Sequence, residues 1–278
     1  MLKTFLIGTA FMIAVSAANA QALRTPAPSP TQTIKQDFGI GSVELSYSRP
    51  GMRGRKIFGD LVPYGAVWRT GANGATVLTF SDSVTVGGTK LAPGKYGLLS
   101  IPAKDQWTFI ISKQLDVTSP AAYKQEMDVA RITAKPTTVS QPAETFTMQF
   151  ANVKPSSADL QLMWENTLVS LPITTEVESR IMAQINQAMN TDSRPYFQSA
   201  MFYLENGKDL NQAVAWFDKA IAQSPDAFWI YHQKANAQAK LGKKEDARKT
   251  ALKSIELAKV AKNSDYVALN EKLIASLK

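Results

Sequence analysis

Apolar and polar positions alternate in short runs as far as residue 174, and beyond residue 175 the spacing of apolar positions lengthens to about 3.6. The alternation is cleanest in Val43-Glu44-Leu45-Ser46-Tyr47 and in Thr76–Phe80. Residues 83–86, 95–101, 107–111, 145–150, 159–164 and 167–173 repeat it, and a short helix is expected over 119–128. Turn chemistry separates these runs: Gly87-Gly88, Pro93-Gly94 and Pro155-Ser156-Ser157. Eight or nine strands with no ten-residue helical pattern between them predict an antiparallel β-sandwich or partly closed barrel. After residue 175 glycine becomes rare, and Ile181, Ile185 and Met189 fall on one helix face. The chain therefore reads as α+β with two domains, a sandwich over 32–174 and an all-α domain over 175–278.

The helical half has an internal repeat. Ala213, Ala220 and Ile221 recur 34 residues later as Ala247, Ser254 and Ile255, while Phe217 recurs as Ala251. Small residues let neighbouring helices approach, and Trp216, Phe217, Trp229 and Tyr231 supply bulk. Residues 194–259 resemble tetratricopeptide repeats, with Pro225 at the junction between repeats and a terminal helix acting as a cap. Two repeats bury too little alone, so a helix near 178–189 is expected to pack at their start. That resemblance implies a protein or peptide partner. Trp229, His232, Asn236 and Lys240 share one helix face and are the candidate peptide groove, Asn236 and Lys240 being suited to a carboxylate. An ordinary solvated helix face is the alternative.

The first twenty residues change the picture from domain architecture to destination. Lys3, the apolar run 5–15 and Ala18-Asn19-Ala20 form a signal peptide, so cleavage near Ala20 and a periplasmic or secreted protein are expected. Residues 21–31, containing Thr25-Pro26-Ala27-Pro28-Ser29-Pro30-Thr31, read as an extended leader. No later stretch is long and apolar enough for a membrane-spanning helix. Without Lys3 the chain has 30 basic against 23 acidic side chains, a net charge of +7 that suits anionic partners. With no cysteine there is no disulfide, thiol nucleophile or thiolate metal site. One histidine, His232, excludes a site with two histidine ligands and a serine–histidine–aspartate triad in the β half. No metal and no cofactor are expected. Nucleic acid is not expected as a partner either, because the basic residues form no extended aromatic-interleaved stripe.

Functional content concentrates in residues 47–73, YSRPGMRGRKIFGDLVPYGAVWRTGAN. Five cations, four aromatics, five glycines and two prolines in one connection point to a built surface. Arg49, Arg55 and Arg69 can fork onto an anion, with Asn73 adding a hydrogen bond. Tyr64 and Trp68 can stack on sugar faces. Alternatively, Trp68 and Phe58 plug the end of the sandwich and the arginines cover aromatic edges.

This signature, together with Val86-Gly87-Gly88, Pro93-Gly94-Lys95-Tyr96 and Trp107-Thr108-Phe109-Ile110, resembles an exported bacterial family, domain-of-unknown-function family 2911, over residues 32–173. Members commonly carry an acidic residue after the asparagine, where this chain has Gly74. Since the family has no settled activity, the resemblance implies fold, export and domain boundary only. The residues themselves point to a non-enzymatic binding protein, with a ligand or partner on the β domain and a protein or peptide on the helices. The alternative is a cofactor-free hydrolase of envelope carbohydrate or peptide, using carboxylates such as Glu44, Asp60, Asp82, Asp105 or Glu165. No pair of them has a diagnostic spacing, and turn aspartates ordinarily serve the backbone.

Overall fold

In the computed structural model, residues 25–191 and 194–277 are described. The signal-peptide expectation for residues 1–20 lies outside them. The chain divides after Thr175 into two compact units.

Among the described residues the first unit is a sandwich of ten strands in two antiparallel sheets. Its strands are β1 (Thr31–Phe38), β2 (Gly41–Ser48), β3 (Thr76–Phe80), β4 (Val84–Val86), β5 (Thr89–Leu91), β6 (Gly94–Ile101), β7 (Trp107–Ser112), β8 (Asp128–Ala134), β9 (Pro136–Lys154) and β10 (Ser157–Thr174). One sheet runs β1-β2-β3-β6-β7-β8 and the other β5-β4-β10-β9. Alternation explains the inner faces: Val43, Leu45 and Tyr47 of β2 and Leu78 and Phe80 of β3 meet Leu160, Leu162, Leu171 and Ile173 of β10 in one core. β6 and β7 are apolar on both faces because a second small core, Leu99, Ile110 and Val117, covers the outer side. The β4–β5 turn places Gly87 and Gly88 at φ 55° and 85°, and a Cβ on Gly87 would stand 2.2 Å from Ile132. Glycine is required there on both counts.

Several boundaries differ from those the pattern predicts. The leader gives way to β1, whose mixed polar side chains hide its pairing with β2. Residues 119–128 form two 3-10 turns, Pro120–Ala122 and Gln125–Met127, rather than a helix, with Pro120 setting the first. The expected strands 159–164 and 167–173 are one strand, β10. Its inward positions switch from even (Leu160, Leu162, Trp164) to odd (Val169, Leu171, Ile173) across a bulge. Glu165 sits there at φ 51°, and such a bulge re-aims side chains.

The described residues of the second unit form six helices: α1 (Glu178–Ala188), α2 (Tyr196–Glu205), α3 (Leu210–Gln223), α4 (Phe228–Lys240), α5 (Lys244–Val260) and α6 (Ser264–Ser276). Its core combines Ala200, Ala213, Phe217, Ala220 and Ala237, the small residues allowing close helix approach. Asp209 caps α3 by accepting from the Asn211 and Gln212 amides, and Asn263 caps α6 through the Tyr266 amide.

Candidate functional site

Residues 49–75 bridge the two sheets at one end of the sandwich. On the β9 side, the Phe146 amide donates to Pro50 O at 2.9 Å and the Met52 amide to Glu144 O at 2.7 Å. Two carboxylates reinforce the attachment: Glu144 accepts from the Arg53 amide at 2.8 Å and Glu165 from the Phe58 amide at 3.2 Å. The bulge in β10 thus aims Glu165 at the connection. On the other side Trp68 exchanges two backbone hydrogen bonds with Ser100 of β6, taking the place beside β6 that β3 vacates.

Between these anchors lies an aromatic plug. Phe58, Trp68, Trp107, Phe146 and Trp164 meet edge-on at centroid distances of 4.9 to 6.4 Å, except Trp68 and Trp164, which stack at 6.0 Å and 17°. The Trp68 indole N–H donates to Gly71 O at 3.0 Å. Trp68 therefore plugs the sandwich, stacked on Trp164 and packed against the main core while staying partly exposed.

A cleft of about 370 Å³ opens beside the plug, walled by Leu61, Pro63, Trp68, Arg69, Pro120 and Trp164, with Arg55 and Ser29 at its margin. Arg69 donates from Nη1 to Thr118 O at 2.8 Å, while its Nε–H is buried with no acceptor. An orphaned N–H of this kind costs roughly 1–3 kcal/mol, so it is uncommon in a finished structure. The next residue, Thr70, is fully buried at φ 55°. A β-branched side chain in the left-handed region is strained, and it persists here because three contacts over-determine it. Its hydroxyl meets Ser100 Oγ at 2.9 Å, its carbonyl accepts from Thr76 Oγ1, and its neighbour Trp68 is pinned to β6.

Of the six candidate ligand residues, Arg55, Trp68 and Arg69 line the cleft, whereas Arg49, Tyr64 and Asn73 do not. Arg49 donates to Phe146 O and Thr147 Oγ1, fastening the connection to β9. Asn73 donates to Ser29 O and Ser48 Oγ. Tyr64 lies exposed with its ring against Gly59. Arg55 turns back on Gly51 O and Met52 O. The leader proves to be a partner of the signature: Pro28, Ser29 and Pro30 carbonyls accept from Arg53, Asn73 and the Arg49 amide in turn. Nothing in the sequence marks that role beyond proline-rich extension, and the walls supplied by Leu61, Pro120 and Trp164 carry no polar signal at all.

The proposed peptide face does not survive as four open side chains. His232 turns inward, 8% exposed, because α6 covers it. Its Nδ1 lies 2.9 Å from Asn270 Oδ1, with the Tyr266 ring edge-on. Asn270 Nδ2 donates to the Tyr266 carbonyl and to Ser254 Oγ, and Ser254 donates to Phe228 O. A carbonyl only accepts, so the Asn270 amide is fixed and His232 must donate through Nδ1. Trp229 stays exposed, Asn236 is half-buried beside Gln233, and Lys240 reaches Leu204 O at 3.3 Å, near the end of α2.

Among the described residues no helix is long and apolar enough to cross a membrane, and no group of three or more His, Asp or Glu side chains is placed to hold a metal ion. A tetratricopeptide-repeat model matches residues 216–249, spanning the end of α3, all of α4 and the start of α5. A family model described as "Protein of unknown function (DUF2911)" matches residues 29–173, just over half of the chain and nearly the whole sandwich. No curated protein matches, and no solved structure does. The residues that line the cleft fall inside the span of that family model, and on its extent the chain belongs to the DUF2911 family.

Proposed function

We propose that this is an exported, non-enzymatic binding protein whose β unit holds a small ligand in the cleft beside Trp68 and Arg69, and whose helical unit docks a protein segment. Export rests on the pattern of residues 1–20. The observation that carries the ligand reading is the wall of the cleft: an arginine with an orphaned N–H next to a strained, buried threonine. Strain and unmet hydrogen-bonding capacity concentrate where a ligand completes the structure. The tetratricopeptide match and the exposed Trp229 support a protein partner on the helices. Among the described residues no carboxylate lines the cleft, and Glu144 and Glu165 are engaged with backbone amides. That favours binding over acid–base hydrolysis.

The test is a thermal-shift screen of anionic compounds, oligosaccharides and envelope-derived peptides against the wild type and Leu61→Trp, a variant that fills the cleft from an exposed position. A ligand at a hundredfold excess over its Kd adds about 2.7 kcal/mol, enough to move the melting point by several degrees. A saturable rise that Leu61→Trp abolishes is the expected outcome. A flat response to every compound, or a rise that Leu61→Trp leaves intact, defeats the reading.

A further inference from the structure

We infer that the cleft takes a compact organic carboxylate, its charged end on Arg69 and its apolar body against the proline and tryptophan walls. This deepens the binding reading above and rests on it. Three observations on the lining converge.

The first is charge. Arg55 and Arg69 are the ionisable side chains of the cleft lining, and no acidic residue among them offsets either. Arg55 is partly satisfied by the Gly51 and Met52 carbonyls at 2.8 and 3.0 Å. Arg69 gives one donor, from Nη1, to Thr118 O, and has a buried Nε–H without an acceptor. An anion suits the outer N–H groups of these two guanidinium ends, because a guanidinium binds a carboxylate through charge-assisted hydrogen bonds.

The second is the body of the cleft. Pro50, Leu61, Val62, Pro63, Ala66, Val67, Ala72 and Pro120 give it mostly apolar walls, and Ser29 is the single hydroxyl. A sugar finds few partners there beyond Ser29 and the two arginines, because Asn73 is spent on the leader and Trp68 stacks on Trp164. A phosphate or sulfate asks for more donors than these two partly satisfied arginines offer. A monoanion with an apolar body suits both parts of the wall.

The third is size. At about 370 Å³ the cleft lies near the lower end of the range for small-molecule sites. The ligand is accordingly a small acid or the C-terminal residue of a peptide, which share a carboxylate on a short apolar body.

The experiment measures binding of benzoate, hexanoate and N-acetylphenylalanine, each beside its neutral amide, to the protein from residue 21 onward. The readout is tryptophan fluorescence, since Trp68 and Trp164 wall the cleft, with calorimetry as the second measurement. The expected result is saturable binding of at least one acid, about tenfold or more tighter than its amide. Arg69→Gln should bring acid and amide level, and Leu61→Trp should remove both. Strongest binding by N-acetylphenylalanine assigns a peptide end, and strongest binding by benzoate or hexanoate assigns a free acid. Because Arg69→Gln releases Thr118 O and can loosen the fold, the acid–amide comparison on the wild type decides the matter without it. Equal binding of acid and amide, lost in Leu61→Trp, overturns the carboxylate inference and leaves the binding site standing. An acid preference that persists in a natively melting Arg69→Gln also overturns it. No binding of any probe rejects the inference, and the broader screen then decides the binding reading separately.

Discussion

Tyr47 shows how one hydroxyl closes the sandwich. It is 2% exposed, yet its oxygen accepts from the Met148 amide at 2.8 Å and lies 2.8 Å from Gln32 Oε1, tying β1, β2 and β9 together. Tyr47→Phe keeps the ring and its edge contact with Phe146 but orphans a buried amide, so it should cost about 1–2 kcal/mol at neutral pH, read by urea denaturation. Burial raises the phenol above its ordinary value of 10.0, outweighing the Met148 amide and the Arg49 charge that lower it. The folded state therefore keeps this proton longer than the unfolded chain. Its contribution is fully present below pH 10 and is lost as pH rises through the raised folded value. The wild-type advantage over Tyr47→Phe should shrink in that alkaline window. A difference that stays constant across it would refute the linkage.

Among the elements, α6 depends most on a single polar contact set. Asn270 is fully buried and joins α6 to His232 of α4 and Ser254 of α5. Asn270→Ala leaves the His232 Nδ1–H without an acceptor and removes the donor to Ser254, so it should destabilise the helical unit by roughly 2–3 kcal/mol. Amide exchange should show α6 opening first, and exchange unchanged in α6 would count against this arrangement. The same residues show where sequence pattern stops being informative. His232, three positions after Trp229, reads as sharing its helix face, yet Trp229 is exposed and His232 is buried. That burial depends on α6, whose Asn270 lies 38 residues further along the chain. The signature behaves alike. Its position and its aromatic plug are legible because aromatics and glycines cluster there, but an arginine's partner is not. Arg49, Arg53 and Arg55 spend donors on carbonyls of β9, the leader and their own turn, while Arg69 gives one to Thr118 O and leaves its Nε–H without an acceptor. β10 reads as two strands because a bulge reverses its alternation, and pattern alone cannot tell a bulge from a break.

At the scale of the molecule, the two units have separate cores. The larger draws on both sheets and the other on α2, α3 and α4, so each has its own source of cooperativity. The placement of a dividing cut matters more than the sequence period suggests. Thr175 follows the last residue of β10, but its amide donates to Ser156 O at 2.9 Å and its hydroxyl to Ser83 O at 3.0 Å. A β fragment must therefore keep Thr175. Glu176 belongs to the helices, since its carboxylate accepts from the Glu178 and Ser179 amides ahead of α1. Those bonds, led by the Ser179 hydroxyl, hold its pKa below the usual carboxylate value. Fragments 21–175 and 176–278 should each melt cooperatively, and the full chain should show two transitions matching theirs. The helical fragment should loosen at α1 as pH falls through the lowered Glu176 value, because that stabilisation is present only while the carboxylate is ionised. If fragment 21–175 fails to fold while the full chain melts in one step, the sandwich draws essential stability from the helices, and the division after Thr175 is geometric rather than energetic.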